Sequence, residues 1–204
     1  MTGIVTKVKM CGIRRIEDIG YVNRLLPDYI GYVFAPKSKR YISPERASEL
    51  TGLLDKRITP VGVFVDETIE KVVDIVKSGT IKIAQLHGHE NEEYIAGLHR
   101  RNITVIRAFI VKSEKDAAMA EKSSADYILL DSGMGSGKIF DHRILRNMTR
   151  KYFLAGGLDA DNVGRALKIP DLYAVDVSSG IETNGFKDFN KMKKFMNSID
   201  LLGN

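Results

Sequence analysis

Cys11 is the only cysteine of the chain, and it ends the apolar stretch Val8-Lys9-Met10-Cys11 immediately before Gly12. A thiol at the end of a strand, beside a residue that permits a sharp turn, can serve as a base or a nucleophile. Packing is the competing use, because free cysteine is among the most buried residue types. Other reactive residues recur after further apolar runs. They lie in Ala35-Pro36-Lys37-Ser38-Lys39-Arg40, Gln85-Leu86-His87-Gly88, Asp131-Ser132-Gly133 and Asp176-Val177-Ser178-Ser179-Gly180. Thiol, imidazole, carboxylate and guanidinium are the groups of acid–base and anion-binding chemistry. Gly156-Gly157 and Ser178-Ser179-Gly180 add backbone N–H groups at turns, and such groups form a concave site for an anion. Paired glycines also serve as plain tight turns. Two such loops after consecutive strands favour the phosphate reading.

These residues need elements to carry them. Short apolar runs rich in Val and Ile recur at 6–11, 29–34, 60–65, 81–86, 103–109, 126–130, 151–155 and 172–177. Each is apolar at consecutive positions rather than alternating, as strands covered on both faces should be. Helical patterns fill the intervals, and several have marked starts. Ser43-Pro44-Glu45 offers an N-cap with proline at the first helical position. Ser113-Glu114-Lys115-Asp116 has capping-box spacing with Asp in place of Glu, and Asp159 can cap the helix after Gly157. No linker rich in Gly and Ser divides the chain, so residues 1–204 are expected to form one domain of eight β-α units.

Three architectures could use this rhythm. A leucine-rich repeat would need its leucine and asparagine pattern, which is absent. An open doubly wound sheet usually has five or six strands and a Gly-rich turn after the first. Eight strands with no obvious edge strand point to a closed (β/α)8 barrel. Strand 1 then pairs with strand 8, and the reactive residues, all just after strands, gather at one mouth. The opposite strand ends carry ordinary loop residues, an asymmetry typical of a barrel enzyme. Phosphate in such barrels is often held after strands 7 and 8, where the two glycine and serine turns fall.

The bulk properties exclude several classes. With 44% hydrophobic and 28% charged residues, the 204-residue chain is neither disordered nor fibrous. A single cysteine excludes an internal disulfide and fits a reducing, cytoplasmic compartment. Lys7 and Lys9 interrupt the N-terminal apolar residues, so no signal-peptide core is expected, and no run is long enough to span a bilayer. The net charge of +5 comes from 31 basic residues interleaved with 26 acidic ones. Its densest cluster, Lys37-Ser38-Lys39-Arg40, is too short for a nucleic-acid arm and suits a small anionic substrate.

Some patterns mislead. Gly133-Met134-Gly135-Ser136-Gly137-Lys138 resembles a nucleotide loop, but Ile139 follows Lys138 and Ser132 stands where the first glycine belongs. The stretch reads instead as a loop that folds over a bound ligand. His87 and His89 could both reach one ion, yet no third ligand is apparent. His87 is expected to line the site or structure its own loop, and His89 to be solvated. Lys191, Lys193 and Lys194 lie opposite Phe189, Met192, Phe195 and Met196, the pattern of a helix that covers a barrel.

Taken together, these stretches resemble the phosphoribosylanthranilate isomerases of tryptophan biosynthesis. The resemblance runs from Val8 to about Lys187. It is carried by Lys9-Met10-Cys11-Gly12-Ile13, Pro36-Lys37-Ser38-Lys39-Arg40-Tyr41-Ile42, Val61-Gly62-Val63-Phe64 and Gln85-Leu86-His87-Gly88. Further along come Leu130-Asp131, Gly135-Ser136-Gly137-Lys138, Ala155-Gly156-Gly157-Leu158 and Val175-Asp176-Val177-Ser178-Ser179-Gly180. The family's fold is a (β/α)8 barrel, in agreement with the strand count. The resemblance implies an Amadori rearrangement of N-(5-phosphoribosyl)anthranilate, without cofactor or metal, by a monomer or homodimer.

The resemblance also assigns roles. Cys11 becomes the base that removes the C2 proton, and Asp131 the acid that protonates the furanose ring oxygen. Strands 1 and 6 are three steps apart around a barrel and can address the sugar from different sides. Arg40 suits the anthranilate carboxylate, a planar fork for a planar anion, and Asp176 the amine or the sugar. Gly156, Gly157, Ser178, Ser179 and Gly180 fall to the phosphate. The chain departs from the family pattern at Arg14 and Arg15, where a small polar residue is usual, and at His142, where tryptophan is common. Another sugar-phosphate barrel enzyme would share the phosphate loops but bring a metal set or a Schiff-base lysine. A scaffold or nucleic-acid binder would have no use for Cys11 and Asp131.

Overall fold

The computed structural model describes residues 6–132, 142–145 and 148–201. Eight strands follow one another in spatial order and close into a parallel barrel. They are β1 (Lys7–Cys11), β2 (Tyr29–Val33), β3 (Thr59–Phe64), β4 (Ile83–Leu86), β5 (Thr104–Ile110), β6 (Tyr127–Asp131), β7 (Tyr152–Ala155) and β8 (Leu172–Val177). Each matches an expected apolar run to within about two residues. The physical reason is burial on both faces: every residue of β2, β4 and β7 is buried, so these strands are apolar at consecutive positions, with Gln85 of β4 the buried polar exception among the three.

One irregularity lies in the strand that carries Asp176. Tyr152 pairs with Leu172 but Phe153 pairs with Ala174, so Tyr173 is an extra residue in β8. Successive strand side chains alternate between faces, and one extra residue reassigns the faces of all that follow. The direction of Asp176 is therefore set by this bulge.

Helices alternate with the strands: α1 (Ile16–Leu25), α2 (Pro44–Gly52), α3 (Ile69–Lys77), α4 (Glu92–His99), α5 (Glu114–Glu121), α6 (Val163–Ala166) and α7 (Phe189–Asp200). Between β6 and β7 the described segment is a 3-10 turn, His142–Leu145. Two short strands, β9 (Glu182–Thr183) and β10 (Phe186–Lys187), make an antiparallel hairpin before α7 that the periodicity did not suggest.

The helix starts obey local chemistry. Ser43 Oγ accepts from the Arg46 N–H, with Pro44 at the first helical position. Ser113 Oγ accepts from the Asp116 N–H, while the Asp116 carboxylate accepts from the Lys112 N–H and the Ser113 hydroxyl. Such caps are worth about 1 kcal/mol each. Asp159 accepts from the N–H groups of Asp161 and Asn162. It thus caps the turn leading to α6, whose own N-cap is Asn162. Helix α7 buries Met192, Phe195 and Ile199 and leaves Lys191, Lys193 and Lys194 in water.

Close contacts group the chain into two compact units. One comprises Met1–Lys9, Phe109–Lys122 and Ile128–Asn204; the other comprises Met10–Ala108 and Ser123–Tyr127. In the second, α3 buries Val72, Val73 and Ile75, each worth roughly 1.5–3 kcal/mol relative to exposure. Tyr32 on β2 is fully buried and meets the Thr51 hydroxyl of α2 at 3.2 Å. That burial pushes its phenol up to about 12.

Candidate active site

The first unit holds the candidate acid and the glycine and serine turns. Asp131 is the last residue of β6, half-buried, and its backbone carbonyl accepts from the Val111 N–H at 2.9 Å. Gly156 and Gly157 follow β7 with φ of 101° and 65°, both in the region that side chains disfavour. Their placement explains why two glycines are needed. A Cβ on Gly156 would collide with Ser132 Oγ and lie 2.8 Å from the Ser132 backbone nitrogen and 2.9 Å from Asp131 Oδ1. The turn after β7 thus presses directly against the candidate acid, a relation the sequence does not reveal.

The turn after β8 stands against the turn after β7. A Cβ on Gly180 would strike the Leu158 carbonyl oxygen and come within 2.9 Å of Asp159 Cβ. Asp159, Ala160 and Asp161, with Ser179, Gly180 and the α7 residues Lys191 and Lys194, line a cleft of about 300 Å³ that Gly156 and Gly157 do not border. Ser179, Gly180 and Ile181 form one 3-10 turn, closed by the Ile181 N–H on the Ser178 carbonyl at 3.4 Å. Among the described residues, nothing accepts from the N–H groups of Gly157, Ser179 or Gly180. Donors left open at a turn are what an anion requires.

Asp176 reaches Lys9. The Lys9 ammonium lies 3.0 Å from Asp176 Oδ1, with side-chain exposures of 0% and 9%. Lys9 and Cys11 are two residues apart on β1, so they share its face. In the sequence Lys9 stands as a break in an apolar run and as part of Lys9-Met10-Cys11-Gly12-Ile13, with no role of its own. A lysine flanked by buried Val8 and Met10 on a strand was the available signal, since a buried ammonium requires a partner.

Cys11, Arg40 and His87 belong to the second unit. Cys11 is 8% exposed and clusters with Val33 and Val63, with Ala35 packed alongside. It ends β1, as expected, and the Gly12 and Ile13 N–H groups both donate to the Gly31 carbonyl beyond it. Both expected features, burial and a strand-end position, are present together. Arg40 is half-buried, and its N–H donates to Ser38 Oγ at 3.1 Å within a compact turn. Arg14 braces that turn by donating to the Lys39 carbonyl at 3.0 Å. Arg15 precedes α1 and pairs with Asp18 at 2.8 Å. The two arginines that depart from the family pattern therefore shape the loops after β1 and β2.

His87 is half-buried, with Nδ1 3.3 Å from Gln85 Nε2. His89 turns elsewhere: its side chain is 95% exposed and its Nδ1 lies 3.0 Å from Asp66 Oδ2. That hydrogen bond raises the His89 pKa, and the His89 backbone and ring N–H groups lower that of Asp66. His89 is solvated but anchored, and the two imidazoles engage different partners. Among the described residues no group of three His, Cys, Asp or Glu side chains could hold a metal ion. A further device lies beneath this loop. The buried Glu90 carboxylate accepts from the Asp66 and Gly88 N–H groups and from Arg107 at 2.6 Å. It ties the loop after β3 to the loop after β4. The expected ligand-covering loop 133–138 and the His142 side chain lie outside the described residues.

Comparison with known proteins bears directly on this arrangement. The family model described as N-(5'phosphoribosyl)anthranilate (PRA) isomerase matches residues 8–198. An N-(5'-phosphoribosyl)anthranilate isomerase of Thermoanaerobacter pseudethanolicus is 44% identical over 202 residues, covering 96% of this chain and 98% of that relative. A phosphoribosyl anthranilate isomerase crystallised with reduced 1-(o-carboxyphenylamino)-1-deoxyribulose 5-phosphate superimposes with a TM-score of 0.87 at 38% identity. That match covers 97% of this chain and 100% of the other. Monomers generated from the dimeric isomerase of Thermotoga maritima match with a TM-score of 0.86, 38% identity, and the same coverage. No helix among the described residues is long and apolar enough to cross a membrane. Barrel, strand-end residues and nearly full-length identity converge, and the chain belongs to the N-(5'-phosphoribosyl)anthranilate isomerase family.

Proposed function

We propose that this chain, working as one (β/α)8 domain, converts N-(5-phosphoribosyl)anthranilate to 1-(2-carboxyphenylamino)-1-deoxyribulose 5-phosphate, with Asp131 as general acid and Cys11 as general base. Asp131 protonates the furanose ring oxygen while the C1–O bond breaks, and the anthranilate nitrogen lone pair closes a C1=N iminium. The iminium withdraws electrons from C2, so a modest base suffices there. The Cys11 thiolate removes the C2 proton, and the C–H electrons form a C1=C2 enolamine. Return of a proton to C1 and loss of the C2 hydroxyl proton give the ketone. The hydrogen lost at C2 is balanced at C1, so no external oxidant or reductant enters.

The observation that carries this reading is the contact of Gly156 with Asp131 and Ser132. It puts the candidate acid against the turn assigned to the phosphate, the arrangement a phosphorylated sugar needs. In this reading backbone N–H groups of Gly156, Gly157, Ser179 and Gly180, with Ser178, hold the phosphate. Arg40 binds the anthranilate carboxylate, His87 lines the site, and Asp176 faces the amine or sugar. The ligand described for the crystallised relative, a reduced phosphorylated aminoketose, supports this substrate class. The chain acts as a monomer or a homodimer in the cytoplasm, without nucleic acid.

The test is turnover of phosphoribosylanthranilate by purified protein in the presence of chelator, with Cys11→Ser and Asp131→Asn beside the parent. Each substitution should lower kcat by about 10²–10⁴-fold, the usual worth of a positioned acid or base. With substrate deuterated at C2, Cys11→Ser should show an isotope effect and Asp131→Asn, stalled at ring opening, little. Near-parental turnover by Cys11→Ser would return the thiol to packing alone.

A further inference from the structure

Lys187 is 4% exposed, and sequence reading gave it no role. It ends the β9–β10 hairpin, which reverses at Asn184 and Gly185 with φ of 52° and 78°, an Asn-Gly pair of the kind that closes two-residue hairpins. That reversal brings Lys187 opposite Glu182 and back onto the turn after β8. Its ammonium donates to Glu182 Oε1 at 2.8 Å and to the Ser178 carbonyl at 3.0 Å, with Ser178 Oγ at 3.5 Å. The same Ser178 carbonyl accepts the Ile181 N–H that closes the 3-10 turn.

The hairpin is tied at its far side as well. The Asp188 N–H donates to the Ile181 carbonyl at 2.9 Å, the Thr183 hydroxyl to Asp188 Oδ2 at 2.8 Å, and Lys191 Nζ to the Glu182 carbonyl at 2.7 Å. The Lys187 and Asp188 ties end on Ser178 and Ile181, which bracket the Ser179 and Gly180 amides, while the Thr183 and Lys191 ties hold the hairpin itself together. We infer that the β9–β10 hairpin is a clamp that presets these amides for phosphate, with Lys187 as its positioning residue. The inference rests on the reading of the turns after β7 and β8 as the phosphate site.

Two physical points favour positioning over other uses. The Lys187 charge is matched by Glu182, with side-chain exposures of 1% and 9%, so it adds little net attraction for a distant anion. A buried ion pair is also weak as a source of stability, since apolar residues of like volume commonly serve as well. What the ammonium supplies, and a methylene chain cannot, is a hydrogen bond fixing the Ser178 carbonyl and hence the direction of the amides that follow.

The experiment measures affinity for inorganic phosphate and for anthranilate, a phosphate-free ligand, together with KM and kcat. The variants are Lys187→Met, the charge-balanced Lys187→Met/Glu182→Gln, and Gly185→Val, which disrupts the hairpin turn without touching the ion pair. Both Lys187 variants should bind phosphate at least about tenfold more weakly, the worth of a lost hydrogen bond to a charged group. KM should rise similarly, while anthranilate affinity and kcat stay within about threefold. Gly185→Val should act in the same direction and decides the matter if Lys187→Met fails to fold. Gly157→Val separates the two layers of the argument. If it leaves phosphate binding unchanged, the phosphate reading and this inference both fall. If it weakens phosphate while the clamp variants lose only thermal stability, this inference alone is overturned.

Discussion

Replacing Lys9 with methionine tests how the barrel interior is wired. The ammonium and Asp176 Oδ1 are 3.0 Å apart, and both side chains are nearly or wholly buried. At an effective dielectric constant of about 20, attraction across that distance is roughly 5–6 kcal/mol, much of it offset by the cost of desolvating both ions. Methionine keeps the volume but leaves the Asp176 carboxylate buried without this ammonium, a change that typically costs about 3–5 kcal/mol. Neither residue is without other interactions, so the lower end, about 3 kcal/mol, is expected. For a chain of this size that corresponds to a Tm lower by roughly 6–12 °C.

The assay is thermal and urea unfolding of the parent, Lys9→Met, Asp176→Asn and the double variant. The double variant should recover at least half of the loss, because the stranded charge is then gone. Its product affinity and turnover should stay low, since Asp176 no longer presents a carboxylate. Raising salt from about 0.05 to 0.5 M should change the Lys9→Met deficit little, as buried pairs are weakly screened. A Lys9→Met protein within about 0.5 kcal/mol of the parent, or a double variant no better than the single, would refute the reasoning.

Two other expectations follow from the same geometry. Gly156→Ala should lower kcat as well as raise KM, because its Cβ meets Ser132 and Asp131 Oδ1, whereas Gly157→Ala should mainly raise KM; steady-state kinetics with parental kcat in Gly156→Ala would remove the link to Asp131. Asp188 has its pKa lowered by the Thr183 hydroxyl and the Lys191 and Asn190 N–H groups. Its native value lies below the ordinary 3.8, so its contribution is complete above that pH and fades as pH falls through the native value. Acid titrations of parent and Asp188→Asn should therefore differ at neutral pH and converge at the acid end, and a gap independent of pH would count against it.

Much of this protein is legible in its sequence. The eight strands could be placed because each is buried on two faces and thus apolar at consecutive positions, as in Tyr29–Val33 and Tyr152–Ala155. Caps such as Ser43 and Ser113 are local, so their chemistry is complete within four residues. Strand-end placement of Cys11, Asp131 and the turns after β7 and β8 followed from the same count. Other features depend on residues far apart in the chain. Lys9 and Asp176 are separated by 167 positions, and only closure of β8 beside β1 gives the lysine its partner. The extra residue Tyr173 sets the side to which Asp176 turns, although nothing in Leu172–Val177 marks a bulge. Lys187 looks like one more surface lysine until a four-residue reversal buries it against Ser178 and Glu182. Patterns of burial are written locally because each strand or helix must suit its own surroundings. The partner of a buried charge is decided only when the fold brings distant strands and loops within hydrogen-bonding distance.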